Sequence, residues 1–203
     1  MQVDLPLVKN GLHISPIEYA FEEKDEDMVR LLLRYQAHTN PQMQNLGITG
    51  SPLHSAVAVS SVPITRTLLE SGAAVNMKGF GGGTPLHSAG FGNDDTLLKL
   101  LLEYRADIDA KNSHGRTTLH YAARHYAPAA LTILLEHGAD VDAQDIDKET
   151  PLHNAARWDS IVAVRLLIAY GADTSRRNVR GRTAAEEVND SRTRDVFLES
   201  FFE

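Results

Sequence analysis

The chain has 203 residues, 42% of them hydrophobic and 23% charged, enough apolar material for a core close to the size limit of a single domain. A net charge of −7 gives a field that repels phosphate backbones, and the absence of cysteine excludes disulfides, thiol catalysis, thiolate zinc sites and iron–sulfur ligation. The opening Met1-Gln2-Val3-Asp4-Leu5-Pro6 lacks a basic region followed by an apolar run, and no stretch approaches the roughly 18 apolar residues of a membrane span. A soluble intracellular protein is expected, cytoplasmic or nuclear, or in the host cytosol if its source is a pathogen.

Along the chain a short signature recurs. It is degenerate at Ser15-Pro16-Ile17-Glu18, then clear at Ser51-Pro52-Leu53-His54, Thr84-Pro85-Leu86-His87, Thr117-Thr118-Leu119-His120 and Thr150-Pro151-Leu152-His153, and degenerate again at Thr183-Ala184-Ala185-Glu186. The four clear copies are 33 residues apart. A second marker keeps the same phase: Gln36-Ala37-His38, Gly72-Ala73-Ala74, Arg105-Ala106-Asp107, Gly138-Ala139-Asp140 and Gly171-Ala172-Asp173. Repetition at this period means stacked supersecondary units.

Each signature predicts a helix start, since a Ser or Thr side chain at the N-cap accepts an orphan backbone N–H and Pro suits the first helical position. This first helix is short and lined with small residues, as at Ala122-Ala123 and Ala155-Ala156, which permits close stacking. A second helix follows with leucine-rich spacing, as in Leu97, Leu98, Leu101 and Leu102, and supplies most of the apolar area. Gly72, Gly138 and Gly171 sit where it would end in the left-handed conformation. Gln36 and Arg105 replace glycine there, and each costs about 1 kcal/mol if it keeps a positive φ.

The signature, the Gly-Ala-Asp turn and the period together resemble the ankyrin repeat. The resemblance covers nearly the whole chain and implies an all-α solenoid of helix pairs with projecting β-hairpins. It divides one domain, residues 1–203, into six units, about 10–45, 46–78, 79–111, 112–144, 145–177 and 178–203. Thr118 replaces the signature proline in the fourth unit, Lys148 replaces the usual turn glycine in the fifth, and extra residues predict a longer finger around Asn40 to Gly50. At the ends, Glu22, Glu23, Asp25, Glu26 and Asp27 suggest a solvated cap matched to the helix dipole, and Val196, Phe197, Leu198, Phe201 and Phe202 suggest a last helix that caps the fifth unit.

No motif supports catalysis, a metal or a cofactor. The signature histidines would stand about 8–10 Å apart in stacked units, too far to share an ion that each must approach to about 2 Å. They read as partly buried rings bonding the backbone of their own turns. The run from Lys78 to Thr84 lacks the lysine and hydroxyl of a phosphate loop and reads as a hairpin tip displaying Phe80. Asn189-Asp190-Ser191 matches a glycosylation acceptor but has no secretory signal. Tyr35, Tyr104, His137 and Tyr170 recur just before the turn that ends each second helix, where they steady it.

Surface remains. The family's hairpin tips and first-helix ends form its concave recognition face, which implies a partner-binding set of Phe80, Phe91, Arg116, Arg124, His125, Arg157 and Trp158. The first-helix ends grade from acidic Glu22-Glu23 through Phe91 to cationic and aromatic Arg124, Arg157 and Trp158; Trp and Arg are the residue types most enriched at binding hot spots. A second patch at the fifth-to-sixth hairpin, Arg176, Arg177, Arg180 and Arg182, offers forks for carboxylate or phosphate oxygens. The expected function is non-catalytic protein binding as an inhibitor or adaptor, since a six-unit acidic array resembles the inhibitory ankyrin proteins that mask transcription factors. The alternative is a binder of nucleic acid or of a phosphorylated segment through the Arg176–Arg182 hairpin. The chain itself is expected to be a monomer, and Asn76 holds the position that asparagine hydroxylases modify in similar arrays.

Overall fold

The computed structural model describes residues 7–9, 12–14, 16–35, 50–92, 94–124 and 127–199. Two short antiparallel strands, β1 (Leu7–Lys9) and β2 (Leu12–Ile14), precede the helices, paired Leu7 to Ile14 and Lys9 to Leu12. The helices then come in pairs: α1 (Pro16–Glu22) with α2 (Glu26–Arg34), α3 (Pro52–Ala58) with α4 (Val62–Glu70), α5 (Pro85–Gly92) with α6 (Asp95–Glu103), α7 (Thr118–Arg124) with α8 (Pro128–Glu136), and α9 (Pro151–Arg157) with α10 (Ile161–Ala169). In the last unit the first helix shrinks to a 3-10 turn, Ala184–Glu187, ahead of α11 (Ser191–Glu199). Odd-numbered helices from α1 to α9 pack on one another in one row, and α2, α4, α6, α8, α10 and α11 in a second. This is the all-α solenoid the period implied.

The core repeats with the sequence. Leu53, Leu86, Leu119 and Leu152 of the signatures are fully buried, as are Leu68, Leu101, Leu134 and Leu167 of the second helices. Each such leucine contributes roughly 1.5–3 kcal/mol through burial. Ala56, Ala89, Ala122 and Ala155 of the first helices are buried, where a larger side chain would disturb close packing.

The signature histidines do more than serve their own turns. The backbone N–H of Ser51, Thr84, Thr117 and Thr150 donates to Nδ1 of the histidine three residues on, at 3.1–3.2 Å, and the same nitrogen lies 2.9 Å from the cap hydroxyl. With Nδ1 accepting, the proton belongs on Nε2, which donates into the following unit: His54 to the carbonyl of Gly83, His87 to Arg116, His120 to Glu149 and His153 to Arg182, at 2.9–3.1 Å. Four imidazoles thus lace five successive units. Burial pushes the His54 and His87 rings below their ordinary pKa and His120 down to about 4, so these rings stay neutral.

Several turns hold non-glycine residues at positive φ. Arg105 sits at φ 62°, with the strain expected of it, and Lys148 at 57° matches Gly82, Gly115 and Gly181 in the same turn of other units. Tyr35, Tyr104, His137 and Tyr170 each form the C-cap of a second helix. Asp25 accepts the Met28 N–H at 2.9 Å and caps α2. Gln36, His125, Phe201, Phe202 and the finger from Asn40 to residue 49 lie outside the described residues.

Candidate functional site

Each described interunit hairpin is closed by a backbone bond across five residues, in which Gly79, Asn112, Asp145 and Asn178 donate to Gly83, Arg116, Glu149 and Arg182, at 2.7–3.1 Å. The tips also bond to one another, with Ser113 N–H donating to Gly81, Ile146 to His114 and Val179 to Asp147, at 2.9–3.1 Å. The fingers therefore form a continuous edge. Lys78 and Lys111 each add a bond to a carbonyl 33 residues on, and Asn76, Asp109 and Asp142 each accept the backbone N–H of a residue 31 further along. This ties down the base of each finger, including the Asn76 carboxamide.

Phe80 is 95% exposed at its tip. Ile146 and Val179, which hold the equivalent position of later units, are exposed as well, with Ser113 between them. Both stand in 33-residue phase with Phe80 in the sequence. Phe91, 58% exposed at the end of α5, sets its ring edge-on to Tyr121 with centroids 6.2 Å apart, and Tyr121 meets His87 in the same way at 6.1 Å. Trp158 is the C-cap of α9 and 46% exposed, and the Arg124 guanidinium lies over its ring, 4.6 Å from the centroid. A cation placed so is held by the ring quadrupole, which fixes the orientation of both groups.

Arg116 and Arg157 have different surroundings. Arg116 Nε donates to the buried Asp145 carboxylate at 3.1 Å. Arg157 grips the buried carboxylate of Glu149 through both terminal nitrogens and reaches Glu187 at 3.5 Å. The hydrogen bond to Glu149 raises its pKa further, so Arg157 serves as a counter-ion inside the fold.

The arginines of the basic hairpin also face carboxylates, Arg176 and Arg177 in exposed pairs and Arg180 and Arg182 on the buried glutamates. Arg176 meets Asp173 at 3.2 Å, Arg177 meets Glu186 at 3.3 Å, Arg180 bridges Glu149 at 3.2 Å and Glu187 at 3.3 Å, and Arg182 lies 3.8 Å from Glu187. Burial pushes the Glu187 carboxyl up, but the Asn178 amide and the Arg157, Arg180 and Arg182 charges outweigh it and hold it below its usual range. The two buried glutamates were illegible as such in the sequence, because nothing local marks a glutamate as buried.

A family model for ankyrin repeats, in three copies, matches residues 17–112 and 86–178. The chain belongs to the ankyrin-repeat family, whose members are generally protein–protein interaction modules and typically non-catalytic. A B-cell lymphoma 3 protein homolog from Mus musculus is similar, 38% identical over 76 residues that make up 37% of this chain and 16% of that protein. No helix among the described residues is long and apolar enough to cross a membrane.

Proposed function

We propose that the chain recognises another protein through its concave face, as an inhibitor or adaptor, with Phe80, Phe91, Arg124 and Trp158 as anchors. The observation that carries this reading is the recurrence of exposed apolar side chains at one phase of the array, Phe80, Ile146 and Val179 on fingers whose backbones are bonded together. Rigid display lowers the ordering entropy that binding must overcome. Ile146 and Val179 join the proposed set, while Arg116 and Arg157 hold the fingers in place. The basic hairpin is a weaker candidate, since each of its guanidiniums already faces a carboxylate of the chain.

The test compares proteins captured from lysate by the wild type, by Phe80→Ala, by Trp158→Ala and by Lys99→Ala, the last an exposed change on a second helix. A specific partner is retained by Lys99→Ala and lost from the first two. With that partner purified, calorimetry is expected to show each anchor variant at least about 2 kcal/mol weaker, roughly 30-fold in Kd. Unchanged affinity in both would refute the site.

A further inference from the structure

Arg124 differs from the arginines on either side of it. Arg116 meets the buried carboxylate of Asp145, and Arg157 that of Glu149. Arg124, the last residue of α7, meets only the Trp158 ring: among the described residues it pairs with no carboxylate and donates to no acceptor. The ring attracts the charge of the guanidinium, but its N–H groups still call for oxygen acceptors.

Tyr121 stands three positions earlier on α7, so the two half-buried side chains share one face of the helix, with Cβ atoms about 5–6 Å apart. Its hydroxyl oxygen lies 2.8 Å from Nδ2 of Asn112. The direction of that bond is fixed by Asn112 itself, whose Oδ1 already accepts the backbone N–H of His114 at 2.9 Å and of Arg116 at 3.1 Å. Tyr121 is therefore the acceptor, and its own proton is left to donate elsewhere; no described residue takes it. Two aromatic side chains wall the place, Phe91 edge-on to Tyr121 and Trp158 against Arg124, and both are exposed.

A positive charge and a hydroxyl donor between apolar walls suit an acceptor-only anion. A carboxylate offers two oxygens and no donor, which matches one guanidinium and one hydroxyl; a phosphate dianion calls for further cations, and the flanking Arg116 and Arg157 are engaged. We infer that Tyr121 and Arg124 receive an Asp or Glu side chain of the partner protein, with large apolar side chains next to it packing on Phe91 and Trp158. This rests on the concave-face reading and specifies what that face reads. The chain's net charge of −7 does not oppose it at physiological salt, where exposed charges more than about 8 Å away are largely screened.

Selection of a random peptide library displayed on phage against the full chain is the test, with Trp158→Ala used to discard peptides that bind elsewhere. The peptides kept are expected to carry an Asp or Glu beside large apolar residues. One of them, made synthetically, is expected to bind the wild type roughly tenfold or more tightly than its amide analogue, in which Asn or Gln replaces the acid. That preference is expected to vanish with Arg124→Gln and to shrink with Tyr121→Phe, circular dichroism showing both variants folded. Peptides that need Trp158 but carry no acid, or an acid preference that survives in Arg124→Gln, overturn this inference and leave the concave-face reading standing. Tighter binding of a phosphoserine analogue overturns the choice of a carboxylate. A library that yields no peptide dependent on Trp158 removes both readings.

Discussion

Gly90 stands where other units have a larger residue and Thr118 where most have a proline, and the two should prove energetically coupled. A Cβ built on Gly90 would lie 2.3 Å from the Thr118 γ-methyl, well inside the roughly 3.5–4.0 Å of an ordinary carbon contact. Both residues are buried, and a β-branched side chain in a helix has little freedom to swing away. Overpacking of this kind costs about 1–3 kcal/mol, whereas Gly→Ala in a helix gains about 1 kcal/mol, so Gly90→Ala should destabilise by up to about 2 kcal/mol. With Thr118→Ser, which removes the methyl, the same alanine should become neutral or stabilising. Equilibrium urea unfolding of the wild type, both single variants and the double variant closes the cycle, with a coupling of about 2 kcal/mol expected. Additivity within about 0.5 kcal/mol would refute the steric argument.

Two further outcomes follow from buried polar groups. His120, ordinarily near 6.5 and held at about 4 in the fold, binds its proton more readily when unfolded; stability is therefore intact above pH 6.5 and falls as pH drops toward 4, by roughly 3 kcal/mol in all. Unfolding free energies across that window should show the slope in the wild type and a shallower one in His120→Gln; identical slopes would exclude the assignment. Arg157→Ala leaves Glu149 buried with a weaker counter-ion and should cost about 3 kcal/mol in urea unfolding, partly recovered by adding Glu149→Gln. A loss below about 1 kcal/mol would remove the counter-ion role.

The architecture was legible because its signals are local and repeated. Signature leucines, small first-helix residues and turn glycines each obey backbone or packing rules that hold wherever the unit occurs, so the helix pairs fall where the period puts them. A residue's role is illegible in sequence where it depends on a distant partner. Arg157 looked like a recognition residue because Glu149 and Glu187 are 8 and 30 positions away, and their burial is decided by stacking. The four arginines of the last hairpin read as a charged patch for the same reason. The acids of unit one are legible as the charged start of α2, where Asp25 caps the helix and Glu26 and Asp27 fill the first turn. Ile146 and Val179 were within reach of the sequence, had the phase of Phe80 been extended to each finger.

The acceptors of the histidine ladder are the backbone carbonyls of Gly83, Arg116, Glu149 and Arg182, residues as different as glycine, glutamate and arginine. A link that asks only for a peptide oxygen is indifferent to the sequence of its neighbour. This one link therefore carries over unchanged when whole modules are duplicated, deleted or exchanged, during evolution or by an engineer, while side-chain contacts such as Gly90 on Thr118 must still be matched. The fingers meanwhile remain free to diverge in what they present.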